Sequence, residues 1–347
     1  MRGLAKRTRG YGGMELVERE RPEPEPGEVL VRIDHAGLCG SDAGIYEFEP
    51  AYERLSTPTV VGHEYAGRVV AVGDGVRTFA TGDRVVERPI RGCGSCYQCE
   101  TGEANVCQDA VITGVDHDGA YQPYLSVPAE VLHPVPDGVD QRHAAMVEPT
   151  SIGARAVIEN SRVTAGDRVL VEGPGPIGLL TAQIARAQGG EVVVSGVERD
   201  AAHRLPLAEE LGFRAVDVTD DDAAAIRDDL TDGVGFDVVF DTTGHHSGLP
   251  SAVEHVRKGG QIVLVGQTGE TTMEYSPLVR GEIDLQCSYA SMYDDFEAAL
   301  RLIRSGAVDA ETFVDDRFSL LDADEAFEAF LAAETCKPVF DVAELAD

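Results

Sequence analysis

The chain predicts an α/β fold in two parts, a β-rich unit in the first 150 residues and a doubly wound parallel sheet beyond about residue 165. Three observations carry that reading. Short alternating runs such as EVLVRIDHAG (28–37) dominate the early chain. From DRVLVEG onward, apolar strands alternate with helix-length segments, the pattern of a parallel sheet joined by helical crossovers. Between them, residues 87–110 lack any period and hold four cysteines, so an ordering metal rather than a packed core is expected there.

The elements follow in order. Val29, Val31 and Ile33 mark a half-buried strand, preceded by a stiff polar connector, PEPEPGE (22–28). AGRVVAVG and DRVVE continue as short strands. DRVLVEG is an apolar strand, and PIGLLTAQIARAQ a helix with Ile177, Leu180 and Ile184 on one side. EVVVSG is the next strand, AEELG closes a helix at Gly212, and FDVVFDTTG and GGQIVLVG are two further buried strands. Two amphipathic helices occupy roughly 293–334, the second opening on Asp322 and Glu325 as a capping-box-like pair. KPVFDV reads as a last strand. No internal repeat or low-complexity tract interrupts the chain.

With 347 residues the chain can bury two sizeable cores. No apolar run reaches the length of about 18 residues that a membrane span needs. MRGLAKRTRGYGG carries charge without an apolar stretch behind it, so no signal peptide is expected and a cytoplasmic location is. The net charge of −32, with only three lysines (Lys6, Lys258, Lys337), repels nucleic acid and anionic lipid. Such self-repulsion is relieved by concentrated salt, which points to a halophile.

Cys93, Cys96, Cys99 and Cys107 have the spacing C-x2-C-x2-C-x7-C. One loop can then wrap a tetrahedral zinc with four thiolates, a closed structural site. Cys39, His63 and Glu64 are the right mix for a second zinc with an open position. Cys287 and Cys336 stand alone in apolar surroundings and read as small core residues.

GPGPIG places Gly173, Gly175 and Gly178 on the G-x-G-x-x-G template, with Pro176 and Ile177 opening the helix behind it. Gly173 permits the tight turn, Gly175 the approach of pyrophosphate, and Gly178 the packing of helix on strand. Thr243 and Gly266, at the ends of later strands, complete the expected cofactor set. The next strand ends in Gly196 instead of the acid that would hold an adenosine ribose. Glu198 could replace that acid, or Arg199 and Arg204 could hold a 2′-phosphate, which leaves NADP or NAD as the cofactor with NADP preferred.

Taken together, CGSD (39–42), GHEYAG (62–67), the cysteine lobe, EPTSIGARA (148–156), GPGPIG and DTTG (241–244) resemble the zinc-containing medium-chain dehydrogenase/reductase family, especially its polyol and sugar branch. The resemblance covers nearly the whole chain. It implies a GroES-like catalytic domain (1–152 and 288–347) with a structural-zinc lobe, and a Rossmann coenzyme domain (153–287). It implies that Cys39, His63, Glu64 and Glu148 surround a catalytic zinc, with either glutamate as the direct third ligand. Asp42 would orient the ligand histidine, and Ser41 would take the substrate proton. Many relatives carry a histidine where this chain has Gly44, so the proton would leave by water, by the ribose hydroxyl or by a side chain such as Tyr46. Hydride transfer between a secondary alcohol, polyol or sugar and the nicotinamide is the implied reaction, in a homodimer or homotetramer.

Threonine 3-dehydrogenase and archaeal glucose dehydrogenase share that ligand pattern, and GVDHDGAYQPYLSVPAE (114–130) separates none of the branches. Zinc-free quinone reductases of the same fold lack the ligand residues that this chain keeps. A nucleic-acid zinc module would need a basic patch beside the cysteines, and there is none. Tyr46, Phe48, Tyr52, Glu87 and Tyr289 are candidates to line the substrate pocket.

Overall fold

The computed structural model describes residues 1–219, 223–267, 269–315 and 317–345, leaving aside the side chains of 223, 224 and 226. Its N-terminal part is built on the strand Glu28–Gly37, which runs antiparallel to Glu64–Val72 on one side and to Lys337–Asp341 on the other. The sheet extends through Arg84–Glu87 and Leu132–Pro134, with Tyr124–Pro128 pairing to Glu28–Gly37 as well. Register shifts at Leu30/Val31 and Ile33/His35 curl it. A smaller antiparallel sheet orders Met14–Glu18, Arg2–Lys6 and Thr59–Val60. The late strand KPVFDV therefore returns to the first sheet and closes the N-terminal core.

The second part is a six-stranded parallel sheet in the order Arg214–Asp217, Glu191–Gly196, Arg168–Glu172, Phe236–Asp241, Val256–Leu264, Asp284–Cys287. Its direction of winding reverses between Arg168–Glu172 and Phe236–Asp241, and that opening beyond the strand ends is where such sheets take ligands. Val169, Val171, Val238, Val239 and Phe240 are fully buried, as a strand covered on both faces requires.

One hydrophobic cluster bridges the two sheets. Val86 and Ala66 from the first pack with Met146, Val147, Leu180, Ile184 and Phe296. The helix Val147–Ala154 lies at this junction, between Pro176–Ala187 and Tyr293–Ser305. Each large apolar side chain buried there contributes about 1.5–3 kcal/mol. The helix then widens into a π-helical turn at Arg155–Glu159.

At Asp322 and at Cys287 the structure differs from the reading of the sequence. Asp322 precedes the helix Ala323–Leu331, but its side chain makes no capping hydrogen bond. Cys287 is exposed, because Asp284–Cys287 is the edge strand of the sheet among the described residues. Cys336 is buried as expected, and burial pushes its thiol up to about 12.

Candidate metal centre and dinucleotide site

Cys39 caps the helix Gly40–Glu47, and its N–H donates to Asp42 Oδ2 at 3.0 Å. His63 follows Gly62, and Glu64 opens the strand Glu64–Val72. Gly62 has φ +91, and a Cβ there would lie 2.5 Å from the Tyr121 ring. Glycine thus lets the chain turn tightly against Tyr121 and aims both side chains inward. The result brings one donor atom each from Cys39, His63 and Glu64 within 4.8 Å of one another.

Asp42 is fully buried and held by the Cys39 N–H, by the Gly62 N–H at 3.3 Å and by the Tyr121 hydroxyl at 2.9 Å. Its Oδ1 lies 3.7 Å from His63 Nδ1. The ring therefore faces Asp42 with Nδ1 and Ser41 Oγ, 3.4 Å away, with Nε2. This is the arrangement in which a carboxylate sets the orientation of a metal-binding imidazole.

The charge balance fits a cation. Glu64, Glu148 and Cys39 are gathered around a single ammonium, Lys337, which is ion-paired to Glu64, and Asp42 lies against His63. Burial, and next the Glu64 charge, push the Cys39 thiol up. Burial pushes Glu148 up to about 7, with His63 working against it and Glu64 adding to it. Burial by itself disfavours a charged His63, but Asp42 and Cys39 outweigh it and hold its pKa well above the ordinary value. A pocket that draws positive charge and offers thiolate, imidazole and carboxylate suits a zinc ion with a fourth position left open. Glu148 sits in the first turn of Val147–Ala154, where Pro149 costs no hydrogen bond. It is buried beside the three donors but outside the 4.8 Å set.

Of the other residues singled out by sequence, Tyr46 turns away. It stacks on Phe327 at 4.8 Å, and its hydroxyl donates to Glu328 at 3.0 Å. Phe48 ends the Gly40–Glu47 helix at φ 60, with the Lys6 ammonium 5.5 Å from its ring centre. Glu87 is buried, accepts from Thr113 Oγ1 at 2.7 Å, and is pushed up to about 7 by burial. Tyr289 is largely exposed, and its carbonyl accepts from Asn105 Nδ2 at 3.0 Å. Tyr52 is half-buried at the end of the turn Pro50–Tyr52, where a Cβ on Gly44 would lie 2.7 Å from its Cε2.

Cys93, Cys96, Cys99 and Cys107 also bring their sulfurs within 4.8 Å of one another. Thiolates around a tetrahedral zinc, at bonds of about 2.3 Å, stand roughly 3.8 Å apart, and Cys96 Sγ is 3.6 Å from Cys107 Sγ. The Cys93 N–H donates to Cys107 Sγ at 3.2 Å. Hydrogen bonds from Ser95 lower the Cys93 thiol to about 6, which favours the thiolate a metal needs.

At the opening of the parallel sheet, Gly173 has φ +99 and packs against Thr242 and Thr243. A Cβ on Gly178 would lie 1.8 Å from Gly173 O, whereas one on Gly175 would meet nothing within 4 Å. Gly175 caps the helix Pro176–Ala187, whose first N–H groups face the opening together with Ile177. Thr242 Oγ1 donates to Glu172 O at 2.7 Å, and the Thr243 N–H and hydroxyl both donate to Asp241 Oδ1, at 3.0 and 2.6 Å. Gly266 leaves room for Gly244, whose nitrogen a Cβ would approach to 2.2 Å. These loops from three strands lie against one another at the ends of the parallel strands.

The ribose-binding turn departs from expectation at Arg204. Its guanidinium is buried, donates to Thr335 O at 3.1 Å and Phe330 O at 2.8 Å, and stays far from a role as a free phosphate grip. The cause is helical phase, which turns Arg204 under the C-terminal segment. Arg199 is exposed on the turn. Gly196 is imposed by packing, since a Cβ would meet Pro174 Cγ at 2.8 Å and Leu205 Cδ2 at 3.0 Å. An acid at that position has no space.

Sequence reasoning missed Lys337, Tyr121 and Thr242. Lys337 was legible only as one of three lysines and as part of a strand. An ammonium directly before the apolar run Pro338–Phe340 is the signal that could have found it.

Comparison with known proteins extends the geometry. The alcohol dehydrogenase GroES-like domain model matches residues 25–137, and the zinc-binding dehydrogenase model matches residues 176–305. Sorbitol dehydrogenase of Halalkalibacterium halodurans is 35% identical over 97% of this chain and 98% of its own. L-threonine 3-dehydrogenase of Pyrococcus horikoshii is 32% identical over 98% of each chain. A zinc-binding dehydrogenase from Sinorhizobium meliloti, solved with NADP bound, superimposes with a TM-score of 0.87 at 27% identity over 98% of both chains.

Proposed function

The chain belongs to the zinc-dependent medium-chain alcohol dehydrogenase family, in its polyol branch, and from that membership we propose that it oxidises a secondary hydroxyl of a free polyol or sugar. It is an NAD(P)-dependent zinc oxidoreductase. The observation that carries the reading is the open donor set of Cys39, His63 and Glu64, with Ser41 beside it, in one chain with a formed dinucleotide crevice.

When bound, the zinc supplies Lewis acidity to the substrate hydroxyl and the nicotinamide supplies the hydride acceptor. The chain does the rest. Asp42, Tyr121 and Gly62 hold the imidazole of His63 in orientation. Lys337 and Glu148 hold the buried charge balance around Glu64. Ser41 receives the substrate proton, and Gly173, Gly175 and Gly178 seat the pyrophosphate against the helix N-terminus.

The finer features belong to the same reading. The catalytic body comprises 1–152 and 288–347, and the coenzyme body 153–287. Each chain holds two zinc ions, one at Cys39, His63 and Glu64 and one at the four-cysteine lobe. Arg199, alone at the ribose turn, selects NADP, and Arg199→Ala shifts the preference toward NAD. The enzyme works as a homo-oligomer in a salty cytoplasm, so its melting temperature climbs steeply with salt. Among the described residues no helix is long and apolar enough to cross a membrane.

A substrate panel tests the proposal: polyols, aldoses and L-threonine with NAD+ and NADP+ at low and high salt. Highest kcat/KM on a polyol is the expected result. A clear preference for L-threonine would replace this reading with the one that the Pyrococcus relative suggests.

A further inference from the structure

We propose that Arg204 couples the dinucleotide site to the metal centre, by tying the turn that meets the adenosine ribose to the segment that supports Glu64. The inference rests on the reading above, in which both sites are filled. Its basis is a short stretch of chain, 335–338, that is gripped from both directions. From one side, Arg204 Nε donates to Thr335 O at 3.1 Å, and Arg204 Nη2 donates to Phe330 O at 2.8 Å. From the other, the Lys337 ammonium pairs with Glu64 and donates to Leu38 O at 2.8 Å, while the Leu38 N–H donates to Pro338 O at 2.9 Å. Cys39 follows Leu38 directly, and only Cys336 stands between Thr335 and Lys337.

Arg204 is tied toward the dinucleotide as well. It opens the helix Arg204–Glu210, behind the turn Glu198–Asp200 that follows the strand Glu191–Gly196. Asp200 Oδ2 accepts the Val197 N–H at 3.1 Å, and Asp200 Oδ1 lies 3.8 Å from Arg204 Nη1. Both side chains are buried, so salt screens the pair little. The guanidinium also lies over the Phe330 ring, 5.3 Å from its centre. A planar fork can donate to two carbonyls while it faces a carboxylate, whereas a lysine offers a single point charge.

A dinucleotide that orders the turn therefore orders Arg204, then Thr335 and, two residues on, Lys337 beside Glu64. Chains of packed and hydrogen-bonded groups carry coupling between separate sites in this way. By linkage the effect is reciprocal: the factor by which the dinucleotide raises zinc affinity equals the factor by which zinc raises dinucleotide affinity. Arg204 acts through Lys337 and through the turn, and is a positioning residue. It also satisfies one of the last carbonyls of the helix Ala323–Leu331, which stabilises the fold. Coupling, and not stability, is therefore the quantity to read.

The test titrates zinc at equilibrium against a chromophoric chelator, without and with saturating NADH or NADPH, whichever binds more tightly. Cys39→Ala, which lacks the ion in question, identifies the site being read. In the wild type the dinucleotide should raise zinc affinity about fivefold or more, and stripping that ion should weaken dinucleotide binding by the same factor. In Arg204→Met both ligands should still bind, with the factor close to one. Arg204→Lys keeps the charge but reaches fewer carbonyls, and should show an intermediate factor; it carries the comparison if Arg204→Met does not fold. Thr335→Val removes the Thr335 Oγ1 bond to Asp315 Oδ2, 2.9 Å long, and leaves the carbonyl that Arg204 uses. It should lower the melting temperature and keep the wild-type factor. Binding of both ligands without coupling in the wild type would overturn the proposal and leave the proposed function standing. So would wild-type coupling in the Arg204 variants, or a loss of coupling in Thr335→Val that matches its loss of stability. A wild-type chain that binds neither zinc nor dinucleotide would overturn the proposed function itself.

Discussion

Lys337 and Glu64 form an ion pair with both side chains only 1% exposed, joining the last strand to the metal centre. The Lys337 ammonium also donates to Leu38 O at 2.8 Å, one residue before Cys39. Gly37 makes the pair possible, since a Cβ there would lie 2.7 Å from Glu64 Oε2 and 3.2 Å from Lys337 Cε. A strand from the far end of the chain thus supplies the countercharge for a carboxylate among the metal donors.

Removing one partner of such a pair leaves an uncompensated buried charge, at a cost of about 3–5 kcal/mol. Lys337→Met should therefore lower the melting temperature markedly in zinc-free protein and less in zinc-loaded protein, where the ion offsets Glu64. Thermal unfolding of both forms checks this. Equal losses in the two forms would show that Glu64 and the zinc do not share charge.

Glu87 predicts a pH dependence. Its pKa rises from 4.5 to about 7 through burial, so the folded chain holds the proton more tightly than the unfolded one. Stability from this group is greatest below about pH 4.5 and falls as the pH rises through 7. At about 1.4 kcal/mol per pKa unit the fall is on the order of 3 kcal/mol. Glu87→Gln keeps the acceptor for Thr113 and should flatten the decline. Urea unfolding between pH 5 and 8 measures it, and parallel curves for the two proteins would refute the assignment.

Two glycines of the dinucleotide loop should separate binding from folding. Gly175 has open space where a methyl group would project and an extended conformation that any residue adopts, so Gly175→Ala should keep its melting temperature. The methyl group would stand where the pyrophosphate approaches and should weaken NAD(P)H binding about tenfold, or about 1.4 kcal/mol. Gly178→Ala collides with Gly173 O and should destabilise the fold itself by about 1–3 kcal/mol. Cofactor titration and thermal unfolding of both variants distinguish the effects. A stable Gly178→Ala, or unaltered affinity in Gly175→Ala, would contradict the geometry.

Much of this was legible in the sequence because the strongest signals are local. GPGPIG after a Val-Leu-Val strand, and four cysteines within fifteen residues, each specify a short-range geometry that the structure contains. Cys39, His63 and Glu64 were legible as a mixed zinc donor set and through the resemblance carried by CGSD and GHEYAG. Arg204 was not, because its direction depends on helix packing against residues 330–335. The strand Asp284–Cys287 was missed because it is only four residues long, although Leu285 and Cys287 alternate with Asp284 and Gln286. Lys337 gains its meaning only from contacts the fold creates across nearly the whole chain.

The central claim is tested most directly by Cys39→Ala, with zinc content, NAD(P)H binding and alcohol oxidation measured on the same preparation. The account predicts that zinc drops from two ions per chain to one, that the dinucleotide still binds with wild-type affinity, and that turnover is abolished. Full turnover in a variant holding a single zinc would contradict it.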